Sequence, residues 1–466
     1  MSRLLIRGGR LIDPKNNLDT TTDLFIEDGR VASVGKLTSA QTDGLPTLDA
    51  SGLLVTPGLI DVHVHFREPG QEQKETIATG AAAAIAGGFT SVCCMPNTNP
   101  TLDDDASIDY VYERAERAGM ANVFPVGALT KSRHGSELAE IGLMAQRGAV
   151  AFSDDGTGVA SAGMMAKAMT YVGMTGRCIM QHCEDPTLGG GAMNAGPLAA
   201  RLGLSGWPRL AEDLMIQRDL MIARDQQYKT RWHAQHMTTA NGAELLRRAK
   251  HDAGPNVHRI TGEVSPHHLL LTDEACAGYD TLAKMNPPLR SQADIDALRA
   301  AVADGTITLL ATDHAPHTPE EKALEFEDAP YGIIGLEPAL ALYIKALIDT
   351  DTITWTRLIE MMTWRGAELC ELEARGHLAT GSHADITLID PNHNWTIDTA
   401  TFAGKSRNCP FQGQTVTGRA LATIVSGDIK LLRDPERLKA ANHRPPATEQ
   451  DLIDLIEQRT STQDRP

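Results

Sequence analysis

The chain of 466 residues is 42% hydrophobic and 22% charged, a balance that excludes a fibrous or mostly disordered protein and allows one large domain with a smaller one attached. Forty-three basic against 60 acidic side chains give a formal charge of −17, which repels a phosphate backbone and argues against nucleic acid as a partner. Aromatic residues make up only 4% while glycines number 41, which favours helices packed closely on a sheet and points to an α/β class. Seven cysteines without a C-x-x-C pair suit reduced thiols in a cytosol, with Cys93 and Cys94 in the core. Arg3, Arg7 and Arg10 break up the first apolar residues, so no secretion signal is read there. No run approaches the roughly 20 apolar residues of a membrane span, since even Ile333 to Ile348 contains Glu337 and Lys345. A cytoplasmic protein without membrane contact is expected.

In chain order, Leu4 to Arg7, Asp23 to Glu27, Val31 to Val34 and Leu53 to Val55 read as short strands separated by Gly9, Asp28-Gly29 and Gly52. After Thr56-Pro57-Gly58, short apolar runs alternate with helix-like stretches for about 320 residues, more than the ~250 of a typical (β/α)8 barrel, so one barrel with insertions is expected. Its eight strands are placed at Leu59 to His63, Ser91 to Met95, Val123 to Val126, Ala149 to Phe152, Cys178 to Gln181, Trp232 to His236, Arg259 to Glu263 and Thr308 to Ala311. Asp104 to Ala118 and Gln292 to Ala303 show the mixed spacing of covering helices, and the alternation implies parallel strands. Ala384 to Ile389, Trp395 to Ile397, Val416 to Arg419 and Ala422 to Val425 read as strands again, with turns at Asp390-Pro391-Asn392 and Gly427-Asp428. The expected fold is α/β, a (β/α)8 TIM-type barrel with a small β-sandwich domain formed by the N- and C-terminal segments. The divisions fall at 1–57 and 378–430 for the two parts of the sandwich, 58–377 for the barrel and 431–466 for a C-terminal extension. In that extension Asp451 to Gln458 reads as a short helix.

The segment Gly58-Leu-Ile-Asp-Val-His63-Val-His65-Phe-Arg67-Glu-Pro-Gly70 puts His63 and His65 on one face of a strand, where two imidazoles can hold a divalent ion. Alone, such a pair is weak evidence. Further ionisable residues, however, stand at strand ends, the face on which barrel enzymes build their sites. Asp155 follows Val150 to Ser153, with Asp154 as its rival; His182 follows Cys178 to Gln181, His236 follows Trp232 to Gln235, and Asp313 follows Leu309 to Thr312. A single His there is more often a packed rim residue, and a single Asp a helix cap. Four histidines and two carboxylates on one rim are instead the donor set of a two-metal hydrolytic site. His233, His267, His268 and His314 are read as structural, the adjacent pair as packing or ligand-orienting residues.

Leu59-Ile-Asp-Val-His-Val-His-Phe-Arg-Glu-Pro-Gly70, Cys94-Met-Pro-Asn-Thr98, Phe152-Ser-Asp-Asp-Gly156, His182-Cys-Glu-Asp185, Glu263-Val-Ser-Pro-His-His-Leu269, Asn286-Pro-Pro-Leu-Arg290 and Ala311-Thr-Asp-His-Ala-Pro-His317 together resemble the motif series of dihydroorotases, in the amidohydrolase superfamily. The resemblance runs from residue 4 to residue 428. It implies zinc as cofactor, one or two ions per subunit with two favoured. His63, His65 and Asp313 would hold the first, His182 and His236 the second, and Asp155 would bridge both. In many relatives, dihydropyrimidinases included, a carbamylated lysine does the bridging; Asp155 matches one class of dihydroorotases instead. The usual His-Val-Ser here reads His236-Met-Thr238, which keeps the ligand.

For substrate, the resemblance places Arg67, Asn97 and His317 with His65 around a free carboxylate, and Asn286 with the backbone at Tyr331 and Gly332 on the ring amide edge. Arg suits a carboxylate because its planar fork matches the two oxygens; the plain alternative for Arg67 is a salt bridge to Glu68. Gly332 and Gly335 flank Ile333-Ile334 in a segment read as a closing lid. The implied activity is the reversible cyclisation of N-carbamoyl-L-aspartate to L-dihydroorotate with loss of water, in pyrimidine (UMP) biosynthesis. In ring opening Asp313 would take the proton of the attacking water and deliver it to the leaving nitrogen. Implied partners are the small-molecule substrate, a second copy in a homo-oligomer, and aspartate carbamoyltransferase, to which some similar dihydroorotases dock. Two alternatives stand beside this one. Another cyclic amidohydrolase, of dihydropyrimidinase or allantoinase type, is disfavoured by the Arg67, Asn97 and His317 set and by Asp155. A non-catalytic dihydroorotase-like subunit is disfavoured because all six ligand positions are kept.

Overall fold

The computed structural model describes residues 3–38, 42–439 and 451–454. Strand β1 (Arg3–Asp13) opens with Leu4, Leu5 and Ile6 and closes with Leu11 and Ile12, all buried, and each such side chain gains about 1.5–3 kcal/mol on leaving water. It pairs antiparallel with β2 (Leu18–Glu27), which turns at Asp28-Gly29 into β3 (Arg30–Val34). Its other edge takes β4 (Thr47–Asp49) and β5 (Leu54–Pro57) in parallel. The short β4 lies in a stretch the sequence reading left without an element.

All eight expected barrel strands form, as β6 (Leu59–Val64), β7 (Phe89–Cys94), β8 (Asn122–Gly127), β9 (Ala151–Phe152), β10 (Cys178–Gln181), β13 (Arg231–Ala234), β14 (Ile260–Val264) and β15 (Leu309–Leu310). Every neighbouring pair along this order is parallel. Between β10 and β13 a small parallel pair, β11 (Met193–Asn194) and β12 (Gly206–Trp207), is inserted. The ring closes where β15 returns to β6. There His65 N–H donates to the His314 carbonyl at 2.9 Å, and the buried Asp61 carboxylate accepts from Thr312 N–H at 3.2 Å and His63 N–H at 3.0 Å. The helices expected at Asp104 to Ala118 and Gln292 to Ala303 are present at Asp105–Ala118, capped by the Asp104 side chain, and at Gln292–Ala303.

The terminal sheet is completed by β16 (Ile386–Thr396), β17 (Thr415–Val425) and β18 (Asp428–Leu432), with β16 pairing antiparallel to β5. Asp390-Pro391-Asn392 is not the turn expected. It lies inside β16 as a bulge in which Pro391 to His393 stand opposite Gly418 alone, which suits a proline that has no N–H to give a ladder. The four apolar runs expected here are therefore two long strands, and β18 is added after Gly427. Helix Ile77–Gly87 is sandwiched between barrel and sheet, which explains its alanines. Small side chains let it approach both layers, and Thr423 of the sheet donates to the Ile85 carbonyl at 2.9 Å and Thr387 to that of Gly88, just past the helix end, at 2.7 Å. Of the helix expected at Asp451 to Gln458, residues 451–454 are helical with Leu452 buried in the main core, and the rest lies outside the described residues.

Candidate metal centre and active site

The six candidate ligands converge at the C-terminal mouth of the barrel, all buried. His63 Nε2 stands 3.4 Å from Asp155 Oδ1 and 3.5 Å from Asp313 Oδ1, and His65 Nε2 stands 3.4 Å from Asp155 Oδ2 and 3.0 Å from Asp313 Oδ1. Across the cavity His182 Nδ1 and His236 Nε2 lie 2.9 Å from each other, and 3.5 and 3.6 Å from Asp155 Oδ1. Three sets bring their ligand atoms within 4.8 Å of one another: His63, His65 and Asp155; Asp155, His182 and His236; and His63, His236 and Asp313. Asp155 belongs to two sets, and its buried Oδ1 has no hydrogen-bond partner. Such an oxygen, ringed by imidazole nitrogens, fits a metal ion with N/O ligands. Arg67, His236 and Asp313 also hold positive φ angles of 60°, 29° and 49°, conformations that the surrounding contacts must enforce.

The geometry separates Asp155 from its neighbour. Asp154 turns away and accepts from the N–H groups of Leu129 and Thr130 at 2.9 and 3.0 Å and from the Thr130 hydroxyl, which uses up its oxygens in holding two loops together. Behind the imidazoles stand Glu263 and Glu184, to which the sequence reading gave no role, and Asn97, which it placed at the substrate carboxylate. His63 Nδ1 meets Glu263 Oε1 at 2.6 Å, His65 Nδ1 meets Asn97 Oδ1 at 2.7 Å, and His182 Nε2 meets Glu184 Oε2 at 3.1 Å. Each contact fixes the rear nitrogen and so aims the front one into the cluster. Arg133 donates to the Asp155 carbonyl at 2.6 Å. Glu263 and Glu184 both lie inside quoted motifs, so the signal was present, but their partners were not. His233 bonds Thr261 and Glu263, His314 ties the barrel seam, and His267 and His268 pack ring on ring at 4.3 Å, all as expected of structural residues.

Burial opposes charge at these groups, yet at His63, His182, Asp155 and Asp313 the facing groups win. Against that penalty, Asp313, Asp155 and Glu263 raise His63 well above the usual imidazole range. The facing carboxylates of Asp155 and Glu184 likewise raise His182 to about 10. Asp155 and Asp313 are held below the ordinary carboxylate range, with the charge on His63 the largest influence that outweighs burial. Burial dominates at His65, which is lowered. The carboxylates thus demand positive charge at the centre, and protons supply it when no cation does.

A cavity of about 260 Å³ opens beside the cluster, lined by His65, Asp155, His182, His236 and Asp313 and by the expected Arg67, Asn97, Asn286, His317, Tyr331 and Gly332. His63 lies beneath it. Arg67 is not consumed by Glu68, which instead takes Arg114 at 2.6 Å and Tyr110 at 3.1 Å. Burial, and then the charge of Arg67, keep His317 well below the usual imidazole range, so it stands neutral beside the guanidinium. The Gly332 to Gly335 segment read as a lid is packed against its neighbours in this structure. Gly332 bonds Lys284 and Asn408, Ile333 bridges His314, and both isoleucines are buried. At Gly332, with φ of 149°, a Cβ would stand 2.7 Å from the Ala315 carbonyl and 2.8 Å from the His317 ring, so only glycine brings this backbone so near the cavity.

Among described residues no helix is long and apolar enough to cross a membrane, and all seven cysteines are buried free thiols. The family model described as Dihydro-orotase-like matches residues 52–240. The dihydroorotase of Pelotomaculum thermopropionicum is 47% identical over 428 residues, covering 92% of this chain and 98% of that one, and that of Trichlorobacter lovleyi is 46% identical over 427 residues, covering 91% and 98%. Among solved structures, the L-hydantoinase (dihydropyrimidinase) from Arthrobacter aurescens superposes with a TM-score of 0.81 at 24% identity, covering 92% of this chain and 96% of that one. The dihydropyrimidinase from Brevibacillus agri does so at 0.78 and 20%, covering 92% and 95%. The solved structures share the barrel-and-sheet fold. Near-full-length identity to curated relatives goes further: the chain belongs to the dihydroorotase family.

Proposed function

We propose that the chain is a metal-dependent hydrolase that interconverts N-carbamoyl-L-aspartate and L-dihydroorotate, with loss or uptake of water, in pyrimidine biosynthesis. The observation that carries the reading is that one cavity holds both the His/Asp cluster and the Arg67, Asn97 and His317 set suited to a carboxylate. His63, His65 and Asp313 would hold one zinc ion and His182 and His236 a second, with Asp155 serving both; its place in one ligand set with His63 and His65 and in another with His182 and His236, and its unpartnered Oδ1, support that role. Bound zinc supplies polarisation of the ring amide carbonyl and water activated at neutral pH. Arg67 presents its fork to the substrate carboxylate, with Asn97, neutral His317 and His65 beside it, which fixes the ring in place. Asn286 and the backbone at Tyr331 and Gly332 meet the amide edge. In ring opening the Asp313 carboxylate accepts the proton of the attacking water and passes it to the leaving nitrogen; in closure it starts protonated and the path reverses.

The same reading divides the chain into sheet segments 1–57 and 378–430, barrel 58–377 and extension 431–466. It also makes the protein a cytoplasmic homo-oligomer able to dock aspartate carbamoyltransferase. The test pairs metal content with turnover on one sample. Two zinc ions per subunit and hydrolysis of dihydroorotate well above dihydrouracil, hydantoin and allantoin are expected. Preference for one of the latter would sink the substrate assignment, and a sample inert after zinc addition would point to a non-catalytic subunit.

A further inference from the structure

At the opposite end of the barrel, the first residues of β13, β14 and β15 border a cleft of about 490 Å³, within the size of small-ligand sites at about 300–1,000 Å³. Lys250, Arg231, Arg357 and Arg365 line it. The last two share the single carboxylate of Glu360, at 2.8 and 2.7 Å, and Arg365 also reaches Glu368 at 3.1 Å. Lys250 is different. Its ammonium, half-buried at the end of helix Ala240–Ala253, meets only the carbonyls of Gly305 at 2.8 Å and Thr306 at 2.9 Å. The Asp304 carboxylate in the same cleft is held by Arg247 at 2.8 Å. Beside it Thr308 is buried, and its hydroxyl has no hydrogen-bond partner.

An ammonium without a counter-ion and a buried hydroxyl without a partner are both costly, and one bound anion relieves both. Burial, with repulsion from Arg357 and Arg365, lowers the Lys250 ammonium to about 8, the direction expected of a cation that lacks its anion. We propose that this cleft binds a small oxyanion, a phosphate or a carboxylate, held by Lys250, Thr308 and Arg357, with its apolar body against Ile260, Ala303 and Leu309. The site is separate from the catalytic cavity and shares none of its lining residues.

The test is calorimetric titration of the metal-loaded enzyme with inorganic phosphate and, separately, with malonate, each against sodium chloride of equal ionic strength. Saturable binding is expected that weakens at least about tenfold in Lys250→Met, the loss of a charge-assisted bond, and that survives in Arg67→Met. Thr308→Val, nearly isosteric, should weaken it by a smaller factor while circular dichroism stays that of the wild type, which keeps the test valid if Lys250→Met folds poorly. A response to one anion alone identifies the class of group. Heat no larger than with chloride, or binding lost in Arg67→Met and kept in Lys250→Met, overturns the proposal.

Discussion

The two halves of the metal cluster are built differently. On the His63 and His65 side, the two residues stand at the end of one strand and just past it, and each rear nitrogen is held, by Glu263 and Asn97. On the His182 and His236 side the ligands come from separate strand ends. Glu184 holds His182 from behind, whereas His236 Nδ1 is buried without a partner, and the two rings stand nearly perpendicular with His182 Nδ1 2.9 Å from His236 Nε2. The first half is held by protein contacts at both rings; the second is held so at His182 alone. Orientation by residues behind the ligands, more than the ligand count, therefore distinguishes the two positions.

The largest effect should fall on Asp313, to which the proposed function gives both a ligand and a proton-path role. Asp313→Asn, assayed metal-replete, should lose about 10²–10⁴-fold in both directions, the usual weight of a general acid–base group; retained turnover would remove it from the proton path. Next, Glu263→Gln should weaken metal binding about 10–100-fold, read by competition with a chelator, because it frees the ring of His63. Glu184→Gln should do less, as its half is already loosely aimed, and an equal loss would erase the contrast drawn here. During stepwise chelation one ion should leave before the other, and Glu184→Gln should hasten the first departure only. The smallest effect concerns protons. His182 is raised to about 10, so it is protonated at pH 7 without metal and must lose that proton to bind. Metal uptake at pH 7 should therefore release protons, and affinity should fall as pH drops, measured by calorimetry in buffers of unlike ionisation heat. Uptake without proton release would contradict the electrostatics described.

That these six residues gather at one mouth of the barrel was legible because strand ends and period-two alternation set both place and direction, and the motif series named which residues to watch. What pairs across the ring was not. Glu263 lies 200 residues from His63 in sequence, and only closure of the barrel sets them 2.6 Å apart. The resemblance chose Asp155 over Asp154, but the physical reason for that choice lies in a neighbouring loop whose N–H groups take Asp154. The bulge at Pro391 imitated a turn because proline and asparagine mark both. The glycines around Ile333 suggested motion, whereas the contacts of that segment show close packing instead.

The seam between β15 and β6 lies directly under the cluster, with Asp61 and His314 stitching the strands that carry His63, His65 and Asp313. Sealing the ring and aligning the donors are thus one event rather than two. A molecule in which these last two staves part has no half-active form to fall back on, so catalytic output doubles as a gauge of whether the hoop is shut.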